Sequence, residues 1–309
     1  PYTITTGFTS GIAVTIVIGQ LKDFFGVTYP NGLKPIETME KLNAFALGFS
    51  SFHVDALIVG GVSLAILIIS PYIFKRIPGS LIAVVIGILM VKFLPLHVST
   101  IGNLYTITND LPSFHIPAVK FSMVKSAIPN AFTIAVLAAI ESLLSCVVAD
   151  GMINGKHRSD TELVAQGLGN IASALFGGIP ATGAIARTAA NIKNGGRTPV
   201  AGMVHSITLV IVLVVLMPFA GMIPMPTIAA ILFVVAYNMC QWRTFVRLTK
   251  TAPKSDIAVL VLTFFLTVIF DLVVAIEIGM LLSCLLFMKR MSEETAVRSW
   301  KYTETGDDD

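Results

Sequence analysis

Charged residues are scarce in this chain. Only 13% of its 309 residues are Asp, Glu, Lys or Arg, whereas 55% are hydrophobic. A soluble globular domain carries about 25% charged residues, and a soluble core of this length could not bury so much apolar surface. A lipid bilayer can, because each crossing helix needs only about 20 apolar residues. The composition therefore predicts a membrane protein and excludes a soluble domain.

The chain also has few cysteines, a small net charge and no recognisable enzyme motif. Cys146, Cys240 and Cys284 lie inside or at the ends of apolar runs, so a disulfide framework is not expected. A net charge of +3 is too small to indicate nucleic-acid binding. The sequence contains no G-x-S-x-G, no H-E-x-x-H and no paired catalytic carboxylates. We therefore predict that the chain is not an enzyme, needs no cofactor or metal, and binds no nucleic acid.

Apolar runs fill most of the chain and are separated by short polar breaks. They predict an all-α polytopic protein with about ten crossings, each near the length that a bilayer requires. The predicted segments lie near 7–26, 54–74, 79–95, 127–149, 161–177, 182–194, 199–217, 226–240, 255–270 and 272–288.

Lysine and arginine are distributed unequally between the two sides of these segments. If the first segment runs outward, the inner loops hold twelve and the outer side six. This bias predicts that both chain ends lie in the cytoplasm, with the protein in the cell's inner (plasma) membrane. The inner set is Lys75, Arg76, Lys156, Arg158, Lys193, Arg197, Arg243, Arg247, Lys250, Lys254, Lys289 and Arg290, and the outer set is Lys22, Lys34, Lys41, Lys92, Lys120 and Lys125.

One predicted crossing is interrupted. Residues 176–198 read FGGIPATGAIARTAANIKNGGRT, in which glycines and a proline make a poor helix start. We expect Gly178–Thr182 to cross part of the membrane in extended form, followed by a half-helix over Ala184–Asn194. Non-helical backbone is tolerated at this depth only when it is buried in protein or lines a cavity. In carriers, the free N–H groups of such half-helices face anionic groups near the midplane.

Arg187 falls in the first turn of the predicted half-helix, on the same face as Ala184 and Thr188. A cation at a helix N-terminus opposes the helix dipole, so it requires a negative partner. That partner is either an anionic ligand or, in a purely structural role, the carboxylate of Glu141.

Two carboxylates fall inside predicted crossings. Glu141 lies within AFTIAVLAAIESLLSCVVAD, with Ser145 one turn further on the same face. A carboxylate at this depth is costly and indicates function: Glu141 could carry a proton, bind a coupling cation or pair with Arg187. Glu277 is also intramembrane, but no broken helix adjoins it, so an interhelical contact is expected.

Small residues recur in the first crossing. The series Gly7, Gly11 and Gly19, with Ser10, allows another helix to approach closely. We therefore predict a helix-packing face there.

The order of these motifs resembles the sulfate permease (SulP) family of anion transporters, bacterial type. The resemblance covers nearly the whole chain. It is carried by GFTSGIAVTIVIGQLKDFFG, by AAIESLLSCVVADGMINGKHRSDTELVAQGLGNIASALFGGIPATGAIARTAANIKNGGRTPVAG and by the pair His205–Ser206.

The resemblance implies a fourteen-helix transporter with seven-plus-seven inverted repeats, the fold of uracil permeases. A core domain, here about 127–217, would move against a gate domain, about 7–95 and 226–288. Residues 1–290 would form a partial transport domain and 291–309 a cytoplasmic linker. The family's first four helices and its STAS domain would be absent, so we expect the 309-residue chain alone not to transport.

The resemblance also implies a site. Thr182, Gly183, Ala184, Ile185, Ala186 and Arg187 would line the anion site. Glu141 and Ser145 would hold the coupling ion or proton. Sodium-coupled bicarbonate carriers of the family have an aspartate in place of Glu141 and a hydroxyl in place of Ile185. The resemblance therefore favours proton coupling or anion exchange over sodium coupling. The family is commonly homodimeric.

The leading hypothesis is therefore a secondary active carrier of sulfate, bicarbonate or a dicarboxylate, by proton symport or anion exchange. A nucleobase carrier of the same fold is an alternative, although Arg187 disfavours an uncharged ligand. An anion channel and a non-transporting membrane module are the others. Saturation and trans-stimulation by counter-substrate would distinguish a carrier from a channel.

Overall fold

The computed structural model describes the chain apart from residues 1, 31–32, 75–76, 107–109, 117, 119, 241, 271–277, 280, 283, 287 and 289–309. The described part is helical and contains no strand, with one isolated antiparallel bridge between Thr100 and Pro224. An all-α architecture was predicted and is confirmed.

Thirteen α-helices are described in this part of the chain. They are α1 (Tyr2–Phe25), α2 (Thr38–Gly48), α3 (Val54–Ile73), α4 (Gly79–Phe93), α5 (Ile101–Leu104), α6 (Phe121–Ile153), α7 (Ser159–Leu175), α8 (Ile185–Lys193), α9 (Val200–Ile211), α10 (Met217–Ala220), α11 (Met225–Met239), α12 (Trp242–Thr251) and α13 (Lys254–Ile269).

Five of the described helical stretches are long and apolar enough to cross a membrane, and α4 is a shorter apolar helix. The last predicted crossing, 272–288, lies largely outside the described residues, as does Glu277. The five stretches are Thr6–Phe25, Val54–Ile73, Phe121–Ile153, Val200–Ala220 and Met225–Thr251.

Two crossings differ in detail from their prediction. The apolar run 127–149 belongs to the longer α6, which ends where Asn154 adopts left-handed geometry and donates its N–H to the Asp150 carbonyl. Between α9 and α10 the helix widens into a π turn over Val212–Leu216. Pro218 follows and has no N–H to donate, which disturbs the regular ladder at this point.

Hydropathy missed α2 and α12, which lie in the polar breaks. Both are short, at 11 and 10 residues, and carry charged residues along part of their surface. Helices of this kind depend on packing of one apolar face rather than on an apolar run, so a search for spanning segments passes over them.

One group of helices is built around α1, which packs against α3, α11 and α13. Its core includes Phe24, Leu67 and Ala229. A buried hydrogen bond of 2.9 Å joins the hydroxyls of Ser63 on α3 and Thr227 on α11. Small side chains let these helices approach closely, and the Ser63–Thr227 pair satisfies both of its hydroxyls within the bundle.

The second group is built around α6, which packs against α7 and α8. Within the described chain, only 17% of the most apolar stretch of α6 is buried. In the stretch Val200–Ala220, no residue of the most apolar part is buried. These helices thus leave apolar faces free for lipid or for other protein segments.

The predicted packing face on α1 is confirmed at two of its three glycines. A Cβ on Gly7 would lie 2.5 Å from the Leu260 carbonyl oxygen, and one on Gly11 would lie 2.6 Å from the Cβ of Thr267. Both partners belong to α13. The prediction was wrong for Gly19, because no atom of the described residues lies within 4 Å of a Cβ added there.

Gly7→Ala and Gly11→Ala should each destabilise the packing of α1 on α13, by about 1–3 kcal/mol, because the added methyl overlaps α13. Gly19→Ala is the matched control and should leave stability unchanged or raise it by up to about 1 kcal/mol, because alanine is favoured over glycine inside a helix. The melting temperature in detergent, followed by loss of the monodisperse gel-filtration peak, measures the difference. Equal melting temperatures for all three variants would show that α1 does not contact α13 in this way.

Candidate functional site

The predicted broken crossing is present. α7 ends before Gly177, whose φ of +72° favours glycine, and residues 178–184 form no helix. Ala184 is extended, with φ −116° and ψ 113°, and the nine-residue α8 begins at Ile185. The Thr188 N–H donates to the Ala184 carbonyl at 2.9 Å, so the N–H groups that precede it have no acceptor within the helix.

Polar side chains of α7 hold the extended segment. The Asn170 amide makes two hydrogen bonds to Ala181, accepting from its N–H at 2.7 Å and donating to its carbonyl at 3.0 Å. The Gln166 amide also donates to the Ala181 carbonyl. Ser173 donates to the Ile179 carbonyl at 3.1 Å. Side chains thus replace the hydrogen bonds that a helix would have provided.

A polar stripe on α7 was not among the predicted site residues. Glu162, Gln166, Asn170 and Ser173 are spaced by four, four and three residues, which places them on one face of α7. That spacing of polar residues within a predicted crossing was the signal that could have identified them.

The junction between the extended segment and α8 lies against α6. The Thr182 hydroxyl donates to the Ala138 carbonyl at 2.8 Å. A Cβ built on Gly183 would lie 3.5 Å from the Ser145 Oγ and 3.6 Å from the Ser142 Oγ. The junction before α8 therefore faces Ser142 and Ser145, which follow Glu141 within about one turn of α6.

Glu141 is half-buried, and its carboxylate has no hydrogen-bond or ion-pair partner among the described residues. Its carbonyl oxygen accepts a hydrogen bond from the Ser145 hydroxyl at 2.9 Å. An unpaired carboxylate in a spanning helix is costly unless a ligand, proton or water serves it.

Arg187 is exposed, and no described carboxylate lies in ion-pair distance of it. The structural alternative, a salt bridge from Arg187 to Glu141, is therefore not seen. Both charges remain available to other partners.

A second carboxylate belongs to the same region. Ser142, which is buried, donates to Glu162 on α7 at 3.3 Å. The α6–α7–α8 contact thus contains one carboxylate with a hydroxyl partner, Glu162, and one without, Glu141.

A half-helix that begins from an extended segment, inside a bundle of apolar spanning helices, defines the class of membrane carriers with discontinuous helices. Within that class, the chain belongs to the sulfate permease family, whose sequence pattern matches residues 1–263.

Relatives of known name support the same assignment. YvdB of Bacillus subtilis (strain 168) is 40% identical over 305 residues, which are 97% of this chain and 56% of that protein. The bicarbonate transporter BicA of Picosynechococcus is 34% identical over 294 residues, which are 94% of this chain and 51% of BicA. The chain therefore spans about half the length of the curated relatives it matches.

Solved structures share the fold. The transmembrane domain of a cyanobacterial BicA aligns with 89% of this chain and 69% of its own, at a TM-score of 0.75 and 30% identity. Murine Slc26a9, an anion transporter captured in an inward-facing state, aligns with 94% of this chain and 48% of its own, at a TM-score of 0.82 and 21% identity. At that identity the second likeness concerns the fold alone.

Asn170→Ala should destabilise the protein by about 1–3 kcal/mol, because the Ala181 N–H loses its acceptor and the Ala181 carbonyl keeps only the Gln166 amide as a donor. Asn194→Ala is the control, since its amide makes only one exposed bond, to the Ala190 carbonyl at 2.8 Å. Thermal unfolding in detergent compares the two variants. If Asn170→Ala unfolds at the same temperature as Asn194→Ala, the amide does not hold the extended segment.

Proposed function

We propose that this chain is the membrane part of a secondary active carrier for a small anion, with sulfate, bicarbonate or a dicarboxylate as the candidate substrates. One observation carries the proposal: the start of α8 packs at Gly183 against Ser142 and Ser145 of α6, and the same turn of α6 holds the half-buried Glu141, whose carboxylate has no partner among the described residues. This arrangement brings anion-binding N–H groups and a proton-accepting group into one small region.

The anion would bind at the N-terminus of α8. The free N–H groups of Ile185, Ala186 and Arg187 point toward the start of the helix, and the helix dipole adds partial positive charge there. Thr182, Gly183 and Ala184 provide the extended approach to this end. The exposed Arg187 guanidinium supplies the full positive charge that an oxyanion or carboxylate requires.

Glu141 and Ser145 would serve the coupling proton. Protonation neutralises Glu141 when it is withdrawn from water, which removes the cost of a bare carboxylate in the bilayer. An approaching anion would be repelled by an ionised Glu141 and not by a protonated one. Binding of the proton would therefore favour binding of the anion, as symport requires.

Transport would proceed by alternating access. We assign the α6–α8 group and α9 to a core that moves past the α1, α3, α4, α11 and α13 gate. The carrier would be a homodimer in the inner membrane, with both chain ends in the cytoplasm. The name of BicA, a bicarbonate transporter, supports an inorganic anion.

Arg187→Gln should weaken anion uptake, raising the apparent KM for the transported anion about 10–100-fold, since a charged hydrogen bond contributes about 1.5–3 kcal/mol. The assay is radiolabelled uptake by the full-length transporter in liposomes, with sulfate, bicarbonate and succinate in turn. Lys193→Gln, at the other end of α8, is the control and should keep the wild-type KM. An unchanged KM for Arg187→Gln would remove the guanidinium from the site. Unsaturable flux would contradict a carrier.

Glu141→Gln should abolish accumulation driven by an inward proton gradient while leaving saturable anion exchange, because the amide is neutral at every pH and carries no proton across. Liposomes loaded at two internal pH values measure this directly. Glu162→Gln is the comparison, since Glu162 already has the Ser142 hydroxyl as partner. Loss of gradient-driven accumulation in Glu162→Gln but not in Glu141→Gln would place proton coupling on α7 instead.

A further inference from the structure

α12 has a basic stripe that the transport mechanism does not use. Arg243, Arg247 and Lys250 are spaced by four and three residues, and Lys254 at the start of α13 continues the series four residues later. All four side chains are exposed. The spacing of Arg243, Arg247 and Lys250 places these three on one face of α12, and Lys254 follows after the break between α12 and α13.

The opposite face of α12 is packed against protein. Phe245, Val246 and Thr249 are partly buried, and the Phe245 ring lies 5.4 Å from the Phe264 ring of α13. α12 also contacts α1. The helix is thus fixed by its apolar side, and the basic stripe faces away from the bundle.

The stripe lies at a membrane boundary. α12 follows the spanning helix α11 and precedes α13 after a break at Ala252–Pro253. Trp242, its first residue, is exposed, and tryptophan is enriched where helices meet the headgroup region.

No described acidic side chain compensates the charge of the stripe. None of Arg243, Arg247, Lys250 and Lys254 forms an ion pair within the described part of the chain, and α12 itself contains no acidic residue. Several cations beside a headgroup layer attract anionic lipid, and each multiplies the preference for anionic over neutral lipid roughly fivefold.

We propose that the basic stripe, Arg243, Arg247, Lys250 and Lys254, binds the phosphate groups of anionic phospholipids such as phosphatidylglycerol. In the orientation proposed above, these are lipids of the cytoplasmic leaflet. The lipid would hold α12 at the membrane surface while its apolar face stays packed on α1 and α13. The anion site at α8 is not involved, so this inference does not depend on the transported substrate.

Trp242 reports on the lipid beside the stripe. The chain has two tryptophans, Trp242 and Trp300, so Trp300→Phe leaves Trp242 as its reporter; any tryptophan elsewhere in the full-length transporter is also replaced by Phe. The protein is reconstituted in phosphatidylcholine vesicles that contain either brominated phosphatidylglycerol or brominated phosphatidylcholine at equal mole fraction. Bromine quenches only nearby indoles, and quenching titrations give the relative affinity of the two lipids.

We expect phosphatidylglycerol to be preferred at least about fivefold beside Trp242. The triple variant Arg243→Gln, Arg247→Gln and Lys250→Gln should bring the preference close to one. The matched control, Lys34→Gln, Lys92→Gln and Lys125→Gln, removes three exposed lysines elsewhere and should keep it. Gel filtration and thermal unfolding verify that both triple variants fold.

Equal quenching by the two lipids in the wild type would overturn the proposal. So would a preference that survives the triple substitution in folded protein. A preference abolished by millimolar inorganic phosphate at constant ionic strength would show a site for free anions rather than for lipid. A preference that falls as sodium chloride is raised, and is insensitive to low phosphate, supports a headgroup contact, because salt screens exposed charges.

Discussion

The structure depends on one constraint, which is that backbone polar groups need partners where water is absent. The extended segment 178–184 interrupts a crossing and gives up helical hydrogen bonds. Asn170 and Ser173 replace part of them by hydrogen bonds to the backbone of Ala181 and Ile179. What is not replaced is the set of N–H groups at the start of α8, and these are the groups that an anion can use. The fold and the proposed binding chemistry thus have the same origin.

The arrangement around Glu141 follows from that junction. At Gly183 the chain passes close to Ser142 and Ser145 before α8 begins. One carboxylate, Glu162, accepts a hydrogen bond from Ser142, and the other, Glu141, is left without a described partner. Two acids in one region therefore have different surroundings, and this difference supports the proposal that Glu141 carries the coupling proton. The α1 group, which packs closely on α13 at Gly7 and Gly11, is the proposed gate.

Sequence alone predicted the membrane class, most of the crossings, the break before α8 and the unusual position of Glu141. Each rests on a strong local signal: an apolar run, a glycine-rich interruption or a charge in an apolar segment. The polar stripe of α7 and the basic helix α12 were missed, because their meaning depends on which helix each face contacts. Periodicity shows that Asn170 shares a face with Gln166, but not that this face meets Ala181. The break at Val212–Leu216 was missed for a similar reason, since hydropathy does not detect a π turn.

The central claim is that the transported anion binds where α8 begins, against α6. Crystals of the full-length transporter grown with selenate in place of sulfate would locate the anion directly by the anomalous scattering of selenium. The account predicts a selenium peak within hydrogen-bonding reach of the Ile185–Arg187 backbone N–H groups, on the side of α8 that faces Ser145. A selenium peak elsewhere in the membrane part of the protein, with the start of α8 empty at saturating selenate, would contradict it.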